Sequence, residues 1–275
     1  MKIFKRIVLG LVIAFILSII FSSLFPGKVR SIDQVRLVAQ RPVIKWIGTV
    51  KMEDFTIINR LDSSIDSDIY FDELKQYLDS LSPGTIFLTR TRSYAITEFI
   101  PGMWKHAGIF LGTKSQLAKE FGKESNIFKM LDTLMGESEI YILDSEANGV
   151  HVHHFKDMSN LRGDSYLTNF VAFSLNGSKE LKTTFLEEAL KYLGREYDYD
   201  WLTNDDSAIY CSELIYYSLK GVGINIKKRT ETLSREVITP DDLYNYMAKR
   251  CGKRGKFVFH INICKENKML KECPM

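Results

Sequence analysis

Cys211 is the residue whose type and position most suggest chemistry. It stands in "AIYCSELIYYSL" (208–219), where Leu214, Ile215 and Leu219 share one helical face behind a polar "TNDDSA" loop. A helix that begins at or just before Cys211 would aim its unpaired N–H groups and the positive end of its dipole at the thiol. Both favour thiolate over thiol. The same N–H groups can hold the oxyanion of a tetrahedral intermediate. A cysteine near a helix start is more often a small core residue, so the functional reading needs a base and a group to orient that base. Of five histidines, His106 is the candidate base. It lies in "WKHAGIFLG", an apolar strand entered from a Pro-Gly loop. Glu146, at the end of the strand "YILDSEANGV", is the candidate orienting carboxylate, and Asp144 is its rival in the same strand.

The remaining histidines carry weaker signals. His151, His153 and His154 form "HVHH", and strand alternation puts His151 and His153 on one face. Two such imidazoles can ligate a metal, but the motif contains no carboxylate. The run therefore reads as ordinary exposed hairpin positions, with a hydrolytic zinc site as a distant alternative. His260 reads as structural. No CxxC or other tight ligand spacing suggests structural zinc.

These residues need elements to position them. Strand-like runs at 85–91 and 105–112 are followed by a helical insertion near 115–136. "EIYILDSE" and "GVHVHHF" then flank an Ala-Asn-Gly turn, a hairpin signal. "YLTNFVAFSL" reads as a strand. "SKELKTTFLEEALKYLG" reads as an amphipathic helix capped by Ser178 and stopped by Gly194. After the cysteine helix, "TPDDLYNYMAKR" has a Thr239 cap with Pro240 at the first turn, and "KFVFHINI" reads as a late strand. Hairpins without βαβ alternation indicate an α+β fold.

The first 27 residues differ in kind. "MKIFKR" precedes an uncharged run, "IVLGLVIAFILSIIFSSLF" (7–25), which meets the length of a membrane-spanning helix. A cleaved signal is the alternative, but no small-x-small site follows. Lys2, Lys5 and Arg6 before the run nearly balance Lys28, Arg30 and Arg36 after it. A short basic tail favours an inside N-terminus. The expectation is a single-pass protein of a bacterial inner membrane, its catalytic part on the periplasmic or outer face. Residues 1–27 are the anchor, 28–66 a tether or N-terminal extension, and 67–275 the catalytic domain. Outside the cytoplasm two of Cys251, Cys264 and Cys273 can pair, without the sequence saying which. Lys+Arg 37 against Asp+Glu 34, with no basic stripe, gives no argument for nucleic acid, and no nucleic-acid partner is expected.

The ordered pieces "PGTIFLTR", "WKHAGIFLG", "YILDSEANGV", "GREYDYDW", "AIYCSELIYYSL" and "ITPDDL" resemble the circularly permuted papain-like (NlpC-type) cysteine hydrolases, the YiiX/YebB-like amidase group. The resemblance spans about 67–245. In it histidine precedes cysteine by about a hundred residues, as the permuted order requires. It implies a cysteine-bearing helix packed on an antiparallel sheet that supplies the histidine. It matches His106, Cys211 and Glu146 to the family's catalytic residues, and Tyr197 and Asp198 to a "Y-D" that, with Tyr210, contacts substrate. Lecithin retinol acyltransferase relatives share the permutation, but their Asn before the cysteine and Glu-His after it are missing here. The expected function is a membrane-anchored cysteine amidohydrolase acting on a peptide-like, cell-wall or N-acyl/lipid amide, with no metal and no organic cofactor. A lipid acyltransferase or thioesterase, or an inactive binding module of the same fold, are the alternatives.

Overall fold

The structure is a computed structural model of the 275-residue chain. It describes residues 2–24, 68–91, 100–161, 167–198, 206–232, 235–252, 254–266 and 269–273, with a few isolated positions besides. The proposed tether, including "SIDQVRLVAQ" and "RPVIKWIGTV", lies almost wholly outside the described residues. The helix α1 (Lys2–Leu24) covers most of the apolar run. About half of its side chains lie outside the described set. Among the described residues no helix is long and apolar enough to cross a membrane.

The remainder is α+β. Helix α2 (Phe71–Leu78) begins where the Glu73 carboxylate accepts the Tyr70 N–H at 2.9 Å. Strand β1 (Thr85–Thr91) and β2 (His106–Gly112) follow. The helical insertion forms α3 (Lys114–Phe121), capped by Thr113, and α4 (Asn126–Leu131), capped by Ser125. The hairpin of β3 (Tyr141–Glu146) and β4 (Gly149–His154) turns at the Ala-Asn-Gly signal. Strand β5 (Leu167–Leu175) leads to α5 (Lys179–Leu190), whose Ser178 caps the Leu181 N–H. Helix α6 (Cys211–Gly221) comes next. A short ribbon of β6 (Thr230–Thr232) and β7 (Arg235–Val237), which the sequence pattern does not announce, precedes α7 (Pro240–Ala248). Strands β8 (Phe257–Glu266) and β9 (Met269–Glu272) close the chain.

Seven strands form one antiparallel sheet in the order β4-β3-β2-β1-β5-β8-β9. Its period of two divides the core. Ile86, Leu88, Ile109 and Val171 face helices α5 to α7, while Phe87, Phe110 and Phe170 face α2 and the turn after β4. The disulfide that the sequence left open is Cys264–Cys273, stapling β8 to the end of β9, and Cys251 is free.

The part of this fold that positions the site is a gap. Strands β2 and β3 pair from Gly112↔Tyr141 down to Gly108↔Asp144 and then part. Helix α6 starts beside that opening. The Ser145 hydroxyl donates to the Ile209 carbonyl, and the Ile209 N–H donates to Glu196 O at 2.8 Å. The residues just before Cys211 are thereby tied to β3 and to the segment after α5. Gly108 is needed at the last rung. A Cβ there would lie 2.4 Å from Phe87 Cζ and 3.2 Å from Asp144 Cβ. Gly108→Ala must therefore displace a buried ring. The expected loss is about 1–3 kcal/mol, the usual cost of overpacking, measured by chemical denaturation.

Candidate active site

Cys211 occupies the first position of α6 and is 4% exposed. The helix starts there because Tyr210 is extended and the Glu213 carboxylate accepts the Tyr210 N–H at 3.3 Å. Three donors approach the sulfur: the His106 ring, the Ala107 N–H and the Ser212 hydroxyl, the last at 3.8 Å. The Ala107 N–H is available because β2 has already left β3 at that point. Burial alone would push the thiol up. The charge and hydrogen bond of His106, with the Ala107 and Ser212 donors, outweigh it and bring Cys211 below its usual value. Burial and the nearby Asp198 carboxylate push Glu213 up to about 9. At neutral pH it is therefore uncharged and does not repel a thiolate two residues away.

The carboxylate that holds His106 is Asp144, not Glu146. His106 Nε2 donates to Asp144 Oδ2 at 2.7 Å, which leaves the other ring nitrogen for the sulfur. Glu146 is half exposed at the hairpin corner, and its Oε1 lies 3.3 Å from His151 Nε2. Asp144 is 1% exposed and spends its second oxygen on His153 Nε2 at 2.8 Å. Burial would raise the Asp144 carboxyl, but the His153 and His106 imidazoliums hold it below the usual carboxylate range. Burial would lower His106. The facing Cys211 thiolate and the Asp144 carboxylate hold it well above 6.5 instead. Both shifts favour a thiolate–imidazolium pair, braced by a buried carboxylate.

A small pocket, open to solvent, abuts the sulfur and is lined by Ile100, Pro101, Tyr197, Tyr210, Val237 and Ile238, among others. Of the residues expected to contact substrate, Tyr197 and Tyr210 line it. Asp198 does not, and lies near Glu213 instead. Two loops make the walls, and one carboxylate joins them. Asp241, in the first turn of α7, accepts the Met103 N–H at 3.1 Å and the Trp104 N–H at 2.7 Å. Gly102 has φ +99, and a Cβ there would lie 2.4 Å from Asp241 Cγ, so the turn needs glycine on both counts. Residues 92–99, the start of this loop, lie outside the described residues.

A family model described as the permuted papain-like amidase enzyme, YaeF/YiiX, C92 family, matches residues 80–267. The chain belongs to this family. It is by that membership a permuted papain-like cysteine hydrolase. Among solved structures it is similar to the metalloprotein yiiX from Escherichia coli O157:H7. That match has 15% identity and a TM-score of 0.40, over 67% of this chain and 97% of that one. Likeness at that level carries no detail of the site. No curated protein matches the chain.

The permuted papain-like frame explains why Asp144 was hard to choose from sequence. Asp144 and Glu146 are two apart, so strand alternation gives both the same face. What separates them is burial, which depends on the end of the β2–β3 pairing. Ser145 and Asp241 carried no sequence signal beyond their place in "LDSE" and "TPDD".

Two measurements follow from this geometry. Asp144→Asn should lower kcat/KM by about 10²–10⁴-fold, the range for a disabled general base, whereas Glu146→Gln should change it by less than about 3-fold. Equal losses from both would restore Glu146 to the site. The rate of Cys211 alkylation against pH should have its midpoint below the ordinary thiol value, because the thiolate is present above the lowered Cys211 pKa. His106→Ala removes the largest lowering influence, so the midpoint should move to higher pH.

Proposed function

We propose that the chain is a membrane-anchored cysteine amidohydrolase whose catalytic residues are Cys211, His106 and Asp144. The observation that carries this is the His106 ring, hydrogen-bonded through Nε2 to the buried Asp144 and interacting with the Cys211 thiol. The Cys211 thiolate attacks the carbonyl carbon of the amide, and the oxygen takes up the electron pair. In the first turn of α6 the Cys211 and Ser212 N–H groups have no acceptor one turn back, and they stabilise that oxyanion. The imidazolium of His106 gives its proton to the leaving amine as the C–N bond breaks. A thioester remains on Cys211. Neutral His106 then takes a proton from water, whose oxygen attacks the thioester, releasing a carboxylic acid and returning the thiolate.

The apolar wall of Ile100, Pro101, Val237 and Ile238 favours an apolar acyl group beside the scissile bond. That supports an N-acyl or lipid amide over a highly charged cell-wall peptide. The uncharged run at 7–25 of the sequence supports an anchor that holds the catalytic domain beside the lipid from which such a substrate comes.

Full-length protein in detergent should hydrolyse N-acyl amides, with free acid and amine as products by mass spectrometry. Cys211→Ala should lose at least about 10⁴-fold in rate while keeping its circular-dichroism spectrum. Activity retained in that variant would remove the assignment, and an acylated acceptor in place of free acid would make the enzyme a transferase. Deletion of residues 1–27 should release the protein from membranes that carbonate washing does not strip. Release of the intact chain by carbonate would remove the anchor.

A further inference from the structure

Beside the catalytic set lies a second cluster that the proposed reaction does not use. The β3–β4 register places Asp144 directly opposite His151, with His153 two residues along on the same face. The carboxylate that "HVHH" lacks is supplied by the neighbouring strand. These histidines are not the exposed hairpin positions that the sequence suggested: His153 is 12% and His151 31% exposed at the side chain. Their rings stack at 4.6 Å. One ligand atom from each of Asp144, His151 and His153 falls within 4.8 Å of the others. The tautomer of His151 is also set for ligation. Its Nδ1 faces the Gly149 carbonyl at 2.9 Å and donates to it, so in the neutral ring Nε2 is the nitrogen left to bind a metal. Glu146 Oε1 is 3.3 Å from that same Nε2, a fourth donor at the solvent side.

We propose that Asp144 Oδ1, His151 Nε2 and His153 Nε2 form a binding site for a divalent transition metal of the zinc class, with Glu146 or water completing the shell. Two imidazoles and a carboxylate are a borderline donor set. It suits Zn²⁺, and equally Co²⁺ as a probe, but neither Mg²⁺ nor Ca²⁺, which prefer all-oxygen shells. Binding displaces the His153–Asp144 hydrogen bond but leaves Asp144 Oδ2 on His106. The metal thus sits next to the catalytic set and shares one carboxylate with it. The partly exposed His151 and the half-exposed Glu146 give the ion a route from solvent. The inference is independent of the hydrolase mechanism.

The test uses full-length Cys211→Ala protein, so that the thiol cannot ligate the probe and catalysis has no part in the readout. Zn²⁺ titration by calorimetry should give one equivalent per chain. His151→Gln/His153→Gln in the same background should weaken it by at least about 100-fold, since loss of outer-shell partners alone costs 10–100-fold. X-ray absorption of the one-to-one Zn²⁺ complex should show two imidazoles, oxygen and no sulfur, a readout that needs no further variant to fold. Absence of stoichiometric binding, unchanged affinity in the double variant, or a shell without imidazole would each overturn the site.

Discussion

A carboxylate with almost no exposed surface organises the candidate site. A buried charge is tolerable only when partners replace the water it has lost. Asp144 meets that condition with two imidazoles, one on each oxygen. The arrangement fixes the His106 ring, commits its Nε2 to Asp144 and turns the other nitrogen to Cys211. It also makes the three groups interdependent. The charged imidazole favours the thiolate, and the carboxylate and thiolate in turn favour the charged imidazole.

The rest of the fold serves that contact by ending things at the right place. Strand β2 parts from β3 after Gly108, which frees the Ala107 N–H for the sulfur and opens room for the start of α6. Ser145 anchors the chain before the helix, and Glu213 caps it. On the other wall, Asp241 holds the Met103 and Trp104 amides, so the loop that leads into His106 is fastened to α7. Trp104 then packs on Tyr244, with ring centroids 5.4 Å apart. The Asp241 ties reach across more than a hundred residues of sequence and the Ser145 tie across 64, and each ends close to the candidate site or a pocket wall.

Much of this was legible in the chain. The hairpin at Ala147–Gly149, the Ser178 and Thr239 caps and the strand β5 all appear as read, because each rests on contacts within a few residues. The order of "HAGIFLG" before "YCSEL" pointed to the permuted papain-like family, which the match over 80–267 shows. The β6–β7 ribbon escaped notice because its strands are only three residues each.

What the sequence determined by itself was local: where helices and strands begin, which faces are apolar, and that a cysteine heads a helix while a histidine heads a strand. The tertiary structure decided which carboxylate meets the histidine. Asp144 and Glu146 have the same parity and similar chemistry, and only the register of β3 between β2 and β4 buries one and leaves the other at the corner. It likewise decided that His151 and His153 face Asp144, and that Cys264 pairs with Cys273. Such partnerships depend on distances between segments far apart in the chain, and those are set by packing of the whole sheet rather than by any short run of residues.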